Sequence, residues 1–255
     1  MKIAVCGKGG SGKSTISALL AKSMAKRGYN VLVVDIDESN YGLQSQLGME
    51  FPEDLMSYMG GKSEYGRKMQ SVREQQIKSV FDSKWHIDDI PEGIVARKDG
   101  ISLLAIGKIQ SFGEGCACAL GSLSKQFFEN LVLKDNDVLI VDTEAGIEHL
   151  GRSIEKGFDT VLIVVDPSYE SIKLSGKIED IAKDSVGSVY IVLNKVREDI
   201  KDALTGSLQK EKIAAVVPDN SHVFSRSLAG KELDTEIDEI NELAVALISR
   251  KAINV

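Results

Sequence analysis

The sequence lacks any long hydrophobic run. Its longest apolar stretches, such as residues 161–165, fall far short of the ~18 residues that a bilayer-spanning helix requires. The beginning of the chain, MKIAVCGKGG, lacks the apolar region of a signal peptide. We therefore expect no membrane partner and a cytoplasmic location.

Cysteine and proline are both scarce, with three and four residues among 255. An odd number of cysteines without a secretory signal argues against a disulfide framework. Apolar residues make up 43% and charged residues 27%, which excludes a disordered or fibrous chain. The net charge of −7 disfavours binding to nucleic acid or anionic lipid as a property of the whole surface.

Short apolar runs recur at wide intervals, and most of them lack clean alternation, which favours strands buried on both faces of a parallel sheet. The predicted strands are residues 2–5, 31–34, 101–106, 138–141, 161–165, 189–193 and 214–217. Helical patterns at 14–27, 124–133, 170–183 and 236–250 separate them. We therefore expect an α/β fold in one domain, residues 1–255, with a mostly parallel central sheet flanked by helices on both faces.

Two regions depart from this alternation. Residues 52–85 are polar and helical in pattern, and the runs 93–97 and 101–106 flank Lys98-Asp99-Gly100, a hairpin signal that predicts an antiparallel edge strand. Residues 107–121, GKIQSFGEGCACALG, are rich in glycine. We expect them to form a loop that leads into a helix.

A glycine-rich segment follows the first predicted strand and precedes the first predicted helix. Its residues are Gly7, Lys8, Gly9, Gly10, Ser11, Gly12, Lys13, Ser14 and Thr15, which satisfy G-x-x-x-x-G-K-[ST]. In such a P-loop the backbone N–H groups and the helix N-terminus face phosphate oxygens, and Lys13 reaches the β- and γ-phosphates. Ser14 is placed to bind Mg²⁺. This pattern predicts a P-loop NTPase.

Lys8 adds a second lysine to the loop, and KGGSGKST resembles the deviant Walker A sequence of one P-loop ATPase class. That class includes the nitrogenase iron protein, the arsenite-pump ATPase and the partition and division-site ATPases. The resemblance implies that Lys8 crosses the interface of an ATP-bound homodimer to the partner's phosphates.

The same resemblance assigns roles at the ends of two strands. Asp37, in Val33-Val34-Asp35-Ile36-Asp37, corresponds to the switch I aspartate that orients the attacking water. In the segment LIVDTEAG, Asp142 would hold a water of Mg²⁺ and the Gly146 amide would sense the γ-phosphate. Carboxylates at the carboxyl ends of strands lie where open α/β sheets bind ligands.

The segment Asn194-Lys195-Val196-Arg197 superficially resembles the N-K-x-D signature of guanine-binding proteins. Arg197 stands where that signature has its aspartate, and arginine offers no hydrogen-bond acceptor. We therefore expect adenine, with ATP and ADP as ligands. The class resemblance places Asn194 on the base edge and the loop with Pro218 and Asp219 beside it.

Cys116 and Cys118 are separated by one residue, so in an extended segment both sulfurs point to the same side. The pair is either a metal-binding site or two small buried hydrophobic residues. Its glycine-rich setting favours the metal site, and a two-fold dimer would supply four thiolates. Four thiolates suit Zn²⁺, Ni²⁺ or an iron–sulfur cluster.

With the phosphate loop, the segments EGCACALG and DTEAGIEHLGR resemble the nickel-insertion ATPases that mature carbon monoxide dehydrogenase, over nearly the whole chain. This resemblance implies a homodimer that carries Ni²⁺ to that client enzyme. The alternative is an iron–sulfur ATPase that donates electrons, but the nitrogenase iron protein has a cysteine after switch II and no cysteine follows Asp142 here. A partition or division-site role is disfavoured by the acidic segment 232–242.

Overall fold

The computed structural model describes residues 1–38, 41–76, 79–108, 118–143, 157–183 and 186–253. These residues form one eight-stranded sheet. Its strands are β1 (Lys2–Gly7), β2 (Asn30–Asp35), β3 (Ala96–Lys98), β4 (Ile101–Ala105), β5 (Asp137–Asp142), β6 (Thr160–Val165), β7 (Ser188–Val196) and β8 (Ile213–Pro218). Their order is β3-β4-β2-β5-β1-β6-β7-β8, and every neighbouring pair except β3 with β4 is parallel.

Helices cover both faces of the sheet. They are α1 (Lys13–Ala25), α2 (Leu43–Leu47), α3 (Leu55–Tyr58), α4 (Gly61–Glu74), α5 (Cys118–Asn130), α6 (Tyr169–Ala182), α7 (Lys201–Gly206), α8 (Ser221–Leu228) and α9 (Asp238–Ile253). Side chains of α1, α2 and α9 share one apolar core, whereas those of α3 to α7 share the other. No helix in the described part of the chain is long and apolar enough to cross a bilayer.

The predicted α/β architecture is therefore confirmed, including the antiparallel edge pair. The predicted edge strand 93–97 is wrong in its first half, because a 3₁₀ turn occupies Glu92–Ile94 and β3 begins only at Ala96. Ile94 and Val95 are apolar because both are buried in the core, not because they pair in the sheet. Asp99 and Gly100 form the hairpin turn with positive φ angles of 50° and 79°.

The cysteine-containing segment also differs from its prediction. Helix α5 begins at Cys118, so the C-terminal end of the predicted loop 107–121 is helical. The physical reason is that Leu120, Leu123 and Phe127 lie at helical spacing and are buried in the core. Cys116 and Gly146 lie outside the described residues.

Strand register decides where the polar residues meet. In β2 and β5 Asp35 lies directly opposite Asp142, and in β1 and β5 Val5 lies opposite Asp142. The carboxyl ends of these three strands therefore lie side by side, at the edge where the chain leaves β1 through the glycine-rich loop. Asp35 and Asp142 therefore lie next to the glycine-rich loop at the carboxyl end of the sheet.

Candidate functional site

The glycine-rich loop turns tightly between β1 and α1. Gly7 has a φ of +147°, and a Cβ atom there would lie 2.4 Å from the Val164 carbonyl oxygen. Gly12 has a φ of +97°, and a Cβ atom there would lie 2.2 Å from Nδ2 of Asn194. Both positions therefore require glycine. Lys13 is buried, and its Nζ donates to the Lys8 carbonyl oxygen at 3.3 Å.

The end of β7 holds this loop from outside. Asn194 Nδ2 donates to the carbonyl oxygen of Ser11 at 2.8 Å, and Lys195 Nζ donates to that of Gly10 at 2.7 Å. These two hydrogen bonds to carbonyl groups of the loop fix its conformation from a strand that is distant in sequence. Gly9 and Gly10 are exposed, whereas Ser11 is buried.

Two hydroxyl groups of α1 meet the carboxylate at the end of β5. Ser14 Oγ donates to Asp142 Oδ2 at 2.6 Å, and Ser17 Oγ donates to Asp142 Oδ1 at 3.2 Å. The structure thus brings together Lys13, Ser14 and Asp142, as expected for a phosphate and magnesium site. Ser17 is an additional contact that the sequence motif does not specify.

A buried ion pair lies beside Asp142. Lys108 Nζ is 2.7 Å from Asp35 Oδ2 and also donates to the main-chain carbonyl oxygen of Asp37. The Asp37 N–H donates to Asp35 Oδ1 at 3.0 Å. The end of β2, with the predicted catalytic Asp37, is therefore fixed through Asp35 and Lys108.

The two neighbouring carboxyl groups hold protons unusually strongly. Burial, and then the negative charge of Asp35, raise the pKa of Asp142 to about 7. Burial also raises the pKa of Asp35 to about 6, although the Lys108 ammonium opposes this rise. Both effects follow mainly from burial, which disfavours the charged form of a carboxyl group.

These groups fit a bound Mg²⁺ ion. Mg²⁺ prefers oxygen ligands; next to the phosphate loop the Ser14 hydroxyl would bind the ion, and the Asp142 carboxylate, which accepts from Ser14 Oγ at 2.6 Å, would hold one of its waters. Burial is the main cause of the raised pKa of Asp142, and the Lys13 ammonium supplies too little positive charge to offset it. A divalent cation would supply that charge.

Lys8 lies on the outer side of the loop, next to the start of α6. Its Nζ donates to Ser168 Oγ at 3.3 Å and is 3.8 Å from Glu170 Oε2, and the Lys8 side chain is 35% exposed. Ser168 is the N-cap of α6. Lys8 is therefore accessible from outside the subunit, which its predicted role across a dimer interface requires.

A cavity of about 570 Å³ adjoins the loop. The predicted base-binding residues Asn194, Pro218 and Asp219 line this cavity together with Gly12 and Thr15. Residues of the phosphate loop and residues some 180 to 200 positions later in the sequence therefore line the same cavity. The cavity lining also includes the side chains of Lys195, Asn220, Val223 and Phe224.

Of the two predicted thiolate ligands, Cys118 is described. It is exposed at the first residue of α5, whereas Cys6 is buried in β1 with its pKa raised by burial to about 12. Among the described residues no group of three or more His, Cys, Asp and Glu side chains is placed to hold a metal ion.

Sequence patterns alone miss four contacts of this site. They are made by Ser17, Asp35, Lys108 and Lys195. Asp35 lies in the motif that identified Asp37, so the pair of aspartates was a usable signal. Lys108 had none, because it reaches Asp35 only through the pairing of β4 with β2.

The fold and the site define a P-loop nucleotide-binding protein. Residues 2–233 match the family model for the CobQ/CobB/MinD/ParA nucleotide binding domain, and the chain belongs to this family.

Curated relatives extend over most of the chain. An ATP-binding protein of Methanocaldococcus jannaschii is 47% identical over 97% of this chain and 99% of its own length. The carbon monoxide dehydrogenase accessory protein CooC of Rhodospirillum rubrum is 31% identical over 78% of this chain and 76% of its own length. These relatives support ATP binding by this protein.

Solved structures share the fold at low sequence identity. The septum site-determining protein MinD of Pyrococcus horikoshii, complexed with Mg-ADP, has a TM-score of 0.67 and 15% identity, and covers 100% of this chain and 98% of its own. The cell division ATPase MinD of Pyrococcus furiosus has a TM-score of 0.66 and 17% identity, with 98% of each chain covered.

The raised pKa of Asp142 predicts a pH-dependent effect of Asp142→Asn on stability. The folded chain keeps a proton on Asp142 that the unfolded chain releases. The resulting contribution of Asp142 to the free energy of unfolding is complete below about pH 4 and is lost as the pH rises through about 7. In protein free of nucleotide and Mg²⁺, the substitution should therefore stabilise more at pH 8 than at pH 5. Each unit of pKa shift corresponds to about 1.4 kcal/mol.

Thermal or urea unfolding at the two pH values measures this difference. Asp199→Asn is a matched control, because Asp199 is exposed and Arg197 lowers its pKa through a hydrogen bond. That variant should show no stabilisation at pH 8. Equal effects of Asp142→Asn at pH 5 and pH 8 would contradict the raised pKa of Asp142.

Proposed function

We propose that this protein is an ATPase that inserts nickel into carbon monoxide dehydrogenase as a homodimer. Cys116 and Cys118 of both subunits would hold the Ni²⁺ cargo, and Zn²⁺ could occupy the same thiolates. The observation that carries the proposal is the position of Cys118. It is exposed at the start of α5, and the chain reaches α5 from the carboxyl end of β4, the sheet edge that also holds the phosphate loop.

Hydrolysis would use the residues at the ends of β1, β2 and β5. The loop amides and Lys13 would bind the ATP phosphates, and Ser14 and Asp142 would hold Mg²⁺, which neutralises phosphate charge when bound. Asp37 would orient the attacking water. Asn194, Pro218 and Asp219 would contact adenine in the adjoining cavity.

Dimerisation through this edge would explain two features at once. Lys8 is accessible on the outer side of the loop, and Cys118 is exposed at the start of α5, the helix that follows β4 in the chain. A two-fold axis there would bring Lys8 to the partner's phosphates and place four thiolates together. The 31% identity with the accessory protein CooC supports carbon monoxide dehydrogenase as the client.

Metal analysis of anaerobically purified protein, with an absorption spectrum, tests the cargo. About half a nickel or zinc ion per chain, without the broad absorbance of a cluster, is the expected result for one ion shared by two subunits. Iron and sulfide in equal amounts would instead favour the electron-donating ATPase and overturn the nickel proposal.

Substitution of the two loop lysines should produce different defects. Lys13→Ala should abolish ATP hydrolysis, because the ammonium that reaches the β- and γ-phosphates is lost. Lys8→Ala should slow hydrolysis by weakening the ATP-bound dimer. Steady-state turnover and light scattering with and without ATP measure both effects. If Lys8→Ala preserves turnover and ATP-dependent dimerisation, Lys8 has no role across the interface.

Replacement of Cys116 and Cys118 by alanine should eliminate stoichiometric metal binding and activation of the client enzyme. ATP binding should persist, because neither cysteine belongs to the phosphate loop. Metal affinity of the wild type should fall below neutral pH, because thiolate ligands must be deprotonated. Cys6→Ala is the matched control, since that thiol is buried in β1. Full metal stoichiometry in the double variant would refute the cysteine site.

A further inference from the structure

Lys108 is buried and lies at the nucleotide end of the sheet without belonging to any recognised motif. Its side chain is 2% exposed, and its ammonium group is 2.7 Å from Asp35 Oδ2. The rings of Tyr41 and Phe51 also surround the ammonium group, with centroids 5.6 and 5.8 Å away. Burial of a lysine is costly unless such partners compensate it.

The ion pair holds both backbone polar groups of Asp37. The Asp37 N–H donates to Asp35 Oδ1 at 3.0 Å, and the Asp37 carbonyl oxygen accepts from Lys108 Nζ. Neutralisation of the Asp35 carboxylate would need only the contact between Lys108 Nζ and Asp35 Oδ2. The additional hydrogen bond from Lys108 Nζ to the Asp37 carbonyl oxygen fixes the main chain of the residue expected to orient water.

The backbone that carries Lys108 is itself firmly supported. The Ile106 N–H donates to the Asp35 carbonyl oxygen at 3.0 Å, and the Ile106 carbonyl oxygen accepts from the Met56 N–H at 2.9 Å. At Gly107 a Cβ atom would lie 2.4 Å from Leu120 Cδ2, so α5 packs closely against this backbone. Lys108 therefore extends from a rigid support to the more exposed end of β2.

We propose that Lys108 is a positioning residue for ATP hydrolysis. Through Asp35 and the Asp37 carbonyl oxygen it holds the Asp37 carboxylate in the place required to orient the attacking water. In this role Lys108 acts through Asp37, whose carbonyl oxygen accepts a hydrogen bond from Lys108 Nζ. This inference rests on the proposed ATPase function, because the position of Asp37 matters only if the chain hydrolyses ATP.

Single-turnover hydrolysis and MgATP affinity, measured on Lys108→Met, separate this role from simple ion pairing. We expect hydrolysis to slow by about 10- to 100-fold, because small misplacements of catalytic groups have effects of this size. MgATP affinity should stay within about three-fold of the wild type, since the phosphate loop is untouched. Asp37→Asn should show the same pattern with a larger loss of rate.

Lys134→Met is the matched control. It also removes a lysine from an ion pair, with Asp88 at 2.8 Å, but this pair is exposed and lies near the start of β5, at the opposite edge of the sheet. Its hydrolysis rate should equal that of the wild type.

Lys108→Met alone leaves the buried Asp35 unpaired, which strongly destabilises a fold. The double variant Asp35→Asn/Lys108→Met removes both charges and should restore cooperative unfolding, while its hydrolysis at saturating Mg²⁺ stays slow. The single-turnover rate of ATP hydrolysis is measured on whichever variant, Lys108→Met or Asp35→Asn/Lys108→Met, unfolds cooperatively. Titration with Mg²⁺ identifies any additional effect of Asp35→Asn on metal binding.

The outcomes distinguish the two proposals. If the wild type hydrolyses ATP and the folded variant does so within about two-fold of its rate, the positioning role is refuted and the ATPase function stands. If the wild type hydrolyses no ATP, the ATPase function fails and the role of Lys108 fails with it.

Discussion

Two carboxylates buried side by side are the constraint on which the rest of this site depends. The parallel register of β2 and β5 places Asp35 directly opposite Asp142 at the carboxyl edge of the sheet. Burial removes the hydration of both groups and raises both pKa values, and the negative charge of Asp35 raises the pKa of Asp142 further. The surrounding residues act largely to compensate this cost.

The compensation comes from two separate parts of the chain. Helix α1 supplies the hydroxyl groups of Ser14 and Ser17 to Asp142, and the segment after β4 supplies the Lys108 ammonium to Asp35. The end of β7 holds the carbonyl groups of the phosphate loop through Asn194 and Lys195. Each contact joins elements that are distant in sequence, so the site forms only when the sheet is complete.

The same carboxylates make the site suitable for a cation. Burial of two adjacent carboxylates costs free energy. A bound Mg²⁺ would attract both carboxylates and lower that cost. This provides a physical reason for the P-loop, the β5 carboxylate and the β2 carboxylate to lie together in this chain.

The fold class, the edge hairpin and the phosphate loop are predictable from the amino-acid sequence, because they depend on local periodicity and on glycines at fixed spacing. The class resemblance placed Asn194, Pro218 and Asp219 at the adenine base; all three line the cavity next to the phosphate loop, and their contact with adenine stays a prediction. The pairing of Lys108 with Asp35 follows from the packing of β4 against β2, which no local pattern records. The start of α5 at Cys118 follows from the burial of Leu120 against distant residues, because helical spacing alone does not fix the residue at which a helix begins.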